Sequence, residues 1–148
     1  MAFLSTFVSG FFKSKQQKEA EFEHTRILLD EQAIQTAIQA HDSWKTRFLA
    51  SIQGQSSEVF DPNIVCFDNH CELGHWLHTS GKTNYTHHPK FSELVSHHKM
   101  FHFAASNALA LHHRGKTEEA QTMLTGQLAQ YSAAMERDLC QLKASFFL

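Results

Sequence analysis

From Gln16 to Gln53 the chain runs without a proline or a glycine, while Phe22, Leu29, Ile34, Ala37, Ile38, His41, Trp44, Phe48, Leu49 and Ile52 recur at helical spacing. That spacing predicts one long helix, and Gly54 ends it. Only 2 Pro and 6 Gly occur in 148 residues, and Ala, Gln, Glu, Lys, Leu and Ser dominate long stretches, so the same reading extends to the rest of the chain. GQSSEVFDPN is a loop, with Asp61, Pro62 and Asn63 as turn residues. A short helix is expected from about Cys71 to Thr79, followed by a loop over SGKTNY. A third helix starts near Pro89, a favoured first-turn residue, and runs to His113; a fourth takes Thr117 as its N-cap and continues to about Leu142. The fold class is therefore all-α, a four-helix bundle with a short additional helix carrying Cys71.

The charge balance, 13 Lys+Arg against 15 Asp+Glu, lacks the basic footprint of a nucleic-acid binder. The three cysteines, Cys66, Cys71 and Cys140, are odd in number and no secretory cleavage site precedes them. Disulfides are not expected to organise the fold, and a cytoplasmic location is expected. Residues 2–18 are apolar up to Phe12, with a few interruptions, and then turn basic at Lys13, Lys15 and Lys18. At about 1.5 Å per residue the apolar part cannot cross a hydrocarbon layer of about 30 Å. It suits a segment lying on a membrane, packing against a partner helix, or starting a helix that pairs in a dimer.

The compositional outlier is 12 His. His98 and His102 stand four apart in HKMFH, so a helix stacks them on one face and two imidazoles meet one ion at little cost; two ordinary helix histidines give the same pattern. In NHCELGHWLH, Cys71 opens the expected short helix, where free N–H groups and the helix dipole favour thiolate, a strong zinc ligand. His41 lies on the otherwise apolar stripe of the first helix, one turn before Trp44. A buried neutral imidazole there needs a partner, either a hydrogen bond in the core or a shared metal.

Together, His41-Asp42-Ser43-Trp44, Cys71-Glu72-Leu73-Gly74-His75-Trp76 and His98-Lys99-Met100-Phe101-His102 resemble the pattern of the chemoreceptor zinc-binding (CZB) domain family. That pattern is a histidine followed three residues on by an aromatic, then Cys-x-Leu-Gly-x-Trp, then His-x-x-x-His, in this order and at similar intervals. The resemblance covers about Ala37 to Leu142 and divides the chain into an N-terminal extension at 1–36, a zinc-binding four-helix domain at 37–142 and a tail at 143–148. It implies a commonly dimeric bundle with one Zn2+ held by His41, Cys71, His98 and His102. It also implies a regulatory role, of the kind attached to soluble chemoreceptors and diguanylate cyclases, in which zinc occupancy or oxidation of Cys71 changes the output.

Three imidazoles and one thiolate make a closed tetrahedral zinc set with no position left for a substrate or an activated water. HKMFH has Lys99 where the helix motif of zinc proteases needs Glu, and neither a nucleophile with its base nor a phosphate loop is found, so no enzymatic activity is expected. Asp68 either caps the short helix, the simpler reading, or accepts a hydrogen bond from a ligand imidazole. Trp44 and Trp76 are weaker candidates for the surroundings of the metal, Trp76 and Phe101 being read first as core. His70, His75, His78, His87, His88 and His97 are left as surface groups, because only His98 makes the four-residue pair with His102. Cys66 and Cys140 read as small hydrophobes. With no signalling helix or catalytic domain in 148 residues, the output is expected to pass in trans to a signalling protein, and a homodimer is the simplest assembly. The alternative is a structural or interaction protein in which zinc only stabilises the bundle.

Overall fold

A computed structural model describes residues 14–147, which contain helices and no strand. The N-terminal apolar segment considered for membrane or partner contact lies, through residue 13, outside the described residues.

Helix α1 spans Lys15–Ile52. A capping box starts it: Ser14 Oγ accepts from the Gln17 N–H at 3.2 Å while Gln17 Oε1 accepts from the Ser14 N–H at 2.9 Å. The chain divides within this helix, between Gln32 and Ala33, into two compact units. In the first unit the described residues, 14–32, are mostly exposed, with a Glu23–Arg26 ion pair of 2.6 Å along their surface. Phe22, counted above in the apolar stripe, is 72% exposed.

In the second unit the stripe turns inward, and Ile34, Ala37, His41, Phe48 and Ile52 are buried. Helix α2 (Pro62–Val65) follows a loop and is nucleated by Asp61, whose carboxylate accepts from the Asn63 N–H at 2.8 Å. A 3-10 turn at Asp68–His70 leads into α3 (Glu72–His78) and α4 (Ser80–Tyr85). SGKTNY is thus a helix and not the expected loop. The reason is tertiary: Trp76 packs on Tyr85 with ring centroids 5.8 Å apart, and Gly81 lies so close to the Trp76 ring that an added Cβ would meet it at 3.1 Å. Burial of that face overrides the turn preference of Gly81 and Asn84.

Helix α5 (Pro89–His113) is capped by His88, whose Nδ1 accepts from the Lys90 N–H at 3.2 Å, and Pro89 fills its first turn. Gly115, at φ 74°, turns the chain after it in the left-handed region. Helix α6 (Thr117–Met123), a π-helical segment (Leu124–Leu128) and α7 (Ala129–Phe147) run on from one another. Thr117 is the first helical residue and not the cap; Lys116 precedes the helix without a side-chain cap, and Glu118 and Glu119 favour the first turn electrostatically. Helices α1 and α7 are antiparallel, since Lys45 Nζ donates to Ser132 Oγ at 2.9 Å and Lys143 Nζ to Gln35 Oε1 at 3.1 Å. Asp138, buried on α7, meets His97 Nδ1 of α5 at 2.6 Å. Three long helical rods and the short helices α2–α4 thus enclose one core that includes Phe48, Leu73, Leu94, Phe101, Leu109 and Leu142.

Leu109 is 2% exposed within this core. Leu109→Ala is expected to cost about 2–5 kcal/mol, read as a lower denaturant midpoint with unchanged slope.

Candidate metal centre

Three elements meet at the centre of the second unit. The inward stripe of α1 brings His41, which is 5% exposed, and α5 brings His98 and His102, at 0% and 2%. The two α5 histidines are one turn apart with ring centroids at 4.7 Å. Cys71 occupies the N-cap of α3, so its side chain projects back over the free first-turn amides, and its Sγ accepts from the Gly74 N–H at 3.2 Å. The sulfur lies 3.2 Å from His98 Nε2 and 3.9 Å from His41 Nδ1. One donor atom from each of His41, Cys71, His98 and His102 lies within 4.8 Å of the others.

The protonation of the cluster follows from its burial. Desolvation, helped by the charges of His102 and Lys45, pushes His41 down to about 3. Desolvation, with His102 and His41 next, pushes His98 down to about 2. Burial also lowers His102, against the pull of its bond to the Val65 carbonyl. All three rings therefore stay neutral at physiological pH and keep a lone pair. Burial likewise pushes the Cys71 thiol up, outweighing the Gly74 and Leu73 N–H groups that draw it down. The helix N-terminus alone thus does not make the thiolate expected from sequence; a cation does, because a coordinating thiol is deprotonated outright.

The donor set fits a metal. Buried His102 Nε2, left as the lone-pair atom by the Val65 bond, has no hydrogen-bond partner, an arrangement that costs stability unless something answers it. Tetrahedral zinc, with bonds of about 2.0–2.1 Å to nitrogen and about 2.3 Å to sulfur, separates its ligands by about 3.3–3.6 Å. The two sulfur–nitrogen separations of 3.2 and 3.9 Å straddle that range.

Surrounding groups orient the donors. His102 Nδ1–H donates to the Val65 carbonyl at 2.8 Å, which leaves Nε2 as the lone-pair atom. His98 turns Nε2 to the sulfur, with Nδ1 3.8 Å from Asp68 Oδ2. Asp68 does not cap a helix: Phe67 precedes the 3-10 turn, and the Asp68 carboxylate instead meets His78 Nε2 at 2.8 Å. Its modest burial would raise the Asp68 carboxyl, but the His78 hydrogen bond and the His78 and His98 charges bring it below its ordinary value. Trp44 lies beside two donors, its ring 6.1 Å from His41 and 5.2 Å from His102. Trp76 belongs to the core, against Tyr85 and Phe91.

Gly74 has a role that spacing alone does not reveal. A Cβ there would collide with the Asp68 carbonyl and meet His98 Cε1 at 3.0 Å, so the glycine lets α3 lie directly on the 3-10 turn with the donor ring beside it. The Val65 carbonyl, a main-chain group, left no mark in the sequence. Among the remaining histidines, His70, His75 and His87 are exposed, His78 serves Asp68 and His97 pairs with Asp138. Cys66 donates to the Asn63 carbonyl at 3.3 Å and Cys140 is exposed, so neither is a packed hydrophobe.

A helical fold with three buried histidines and a half-buried cysteine meeting at one place defines a metal-binding protein of the zinc class. Residues 41–109 match the model of the chemoreceptor zinc-binding domain, which supports the resemblance to that family. The family is a regulatory zinc-binding one that occurs in chemoreceptors and related signalling proteins; with the donor set, it identifies the cofactor as Zn2+. Compared with curated proteins and with solved structures, the chain has no match. Among the described residues no helix is long and apolar enough to cross a membrane.

Two outcomes follow. Gly74→Ala should lower zinc affinity while leaving the protein helical, as read by chelator competition and circular dichroism. In the metal-free chain, His41 and His98 take up protons only when unfolded as pH falls below their ordinary 6.5, until their folded values are reached. Stability is therefore complete above pH 6.5 and declines below it, by up to about 1.4 kcal/mol per pH unit for each histidine, as denaturation at pH 7 and pH 5 should show.

Proposed function

We propose that this chain is a zinc-binding regulatory module in which His41, Cys71, His98 and His102 hold the ion and the state of that site controls a signalling partner. The observation that carries the reading is the meeting of three buried imidazoles and a half-buried thiol within 4.8 Å of one another. A full tetrahedral set leaves no coordination position for a substrate, so the centre senses or stabilises and does not catalyse. Cys71 gives it two inputs. Loss of zinc removes the link between α1, α3 and α5, and oxidation of the sulfur to sulfenic acid makes it a poorer ligand. The partner is a chemoreceptor or diguanylate cyclase type of protein acting in trans in the cytoplasm, with the module as a homodimer.

A structural reading competes, supported by the donor histidines lying inside the same core as Phe101 and Leu73. Metal removal separates the two. A sensor should stay helical when stripped and rebind one zinc per chain, whereas a structural site unfolds without its ion. Cys71→Ser should abolish the oxidant response and weaken zinc binding. Asp68→Asn, which touches no metal, should lower affinity through loss of the negative charge beside His98, and by less than the cysteine variant does. Full zinc retention by Cys71→Ser in chelator competition would overturn the ligand assignment.

A further inference from the structure

Cavities of very different size touch the donor cluster. One, of about 20 Å³, reaches His41 between α1 and α7 and has room for a single water. Another, of about 380 Å³, has Cys71 and His102 in its lining. At about 30 Å³ per water the larger one accommodates on the order of a dozen, and so an ion that still carries a shell of about six. It opens to solvent, since Val59, Ile64 and Phe67 line it while remaining 86, 56 and 52% exposed. Its wall is tied into the fold. Helix α2, which carries Ile64, is fastened to α5 twice, because Ser106 Oγ donates to the Pro62 carbonyl and His102 Nδ1–H to the Val65 carbonyl, each at 2.8 Å. Trp44 and Phe60 meet edge to face in the same lining, with centroids 5.8 Å apart. Among the lining charges Arg47 is taken up by Glu58 at 2.8 Å, which leaves the Asp61 carboxylate as the excess, of the sign that draws a cation.

We propose that the larger cavity is the passage by which the zinc site exchanges its ion with solvent, and that Cys71 and His102 are the donors water reaches first. The proposal rests on the zinc-site reading above. Each donor that lets go of a divalent cation has to be replaced by water, because carrying the bare charge through an apolar core is too costly. On the His41 side there is space for one such water, and on the Cys71–His102 side for a whole shell. The residues of the outer wall, Ile64 and Phe67 foremost, touch the passage and are no part of the donor set. They therefore act on the barrier and not on the bound state: narrowing the mouth slows uptake and release by the same factor and leaves affinity alone. The donors set the zinc level at which the module responds, and the wall sets how fast it responds.

The test uses the zinc-loaded full chain at one fixed pH. Release is timed into excess chelator and extrapolated to zero chelator, Kd comes from chelator competition, and the uptake rate is the release rate divided by Kd. Ile64→Trp, which narrows the mouth, should slow release and uptake together by about threefold or more, and Phe67→Ala, which widens it, should speed both by a similar factor. Kd should stay within about twofold in each, as exposed substitutions away from the donors allow. Glu136→Trp, an equally large change at an exposed position on the smaller cavity, should move neither rate by more than about twofold. Unmoved rates in either wall variant, an equal effect of Glu136→Trp, or a change in release alone that appears in Kd overturns the passage. The ligand assignment fails separately: a Cys71→Ser chain that binds zinc as tightly as the parent removes Cys71 from the metal, whatever the wall variants do to the rates.

Discussion

The second unit is organised around an unfavourable act, the burial of three imidazoles beside a half-buried thiol. Each group alone would destabilise the core, and their pKa directions record that: the rings are held neutral and the thiol is pushed up. One donor atom from each lies within 4.8 Å of the others, close enough for a single divalent cation to answer all four. Without convergence, α1, α3 and α5 would share only an apolar contact; with it, they share a common centre.

The surroundings narrow the donors to one geometry. The Val65 carbonyl fixes the tautomer of His102, and Gly74 permits the close seating of α3 on the 3-10 turn. Asp68 stands between His98 and the exposed His78. Trp44 stacks on Phe48 at 5.1 Å and flanks His41 and His102, so apolar packing and the orientation of the donors are one structure.

Much of this was legible in the chain. The long uninterrupted stripe, Pro89 and Gly54 gave the rods almost to the residue, because cap chemistry and periodicity are local signals. The set that the family resemblance implies, His41, Cys71, His98 and His102, is the group the fold brings together. The failures share a physical cause. SGKTNY looked like a loop because its helix depends on burial against Trp76, and Phe22 looked like core because periodicity does not say where a partner surface stops. Asp68 looked like a cap because its use by His78 depends on a contact ten residues away. The rise of the Cys71 thiol came from desolvation, which no single-sequence pattern encodes.

The donors also differ in how far the chain must travel to assemble them. His98 and His102 are placed together by one turn of α5, whereas Cys71 lies 27 residues before His98 and His41 a further 30 before that. Closing each of those loops costs chain entropy that the helical pair never meets. The α5 pair is therefore a product of local helix geometry, whereas the places of the sulfur and of the His41 imidazole are set by the tertiary fold.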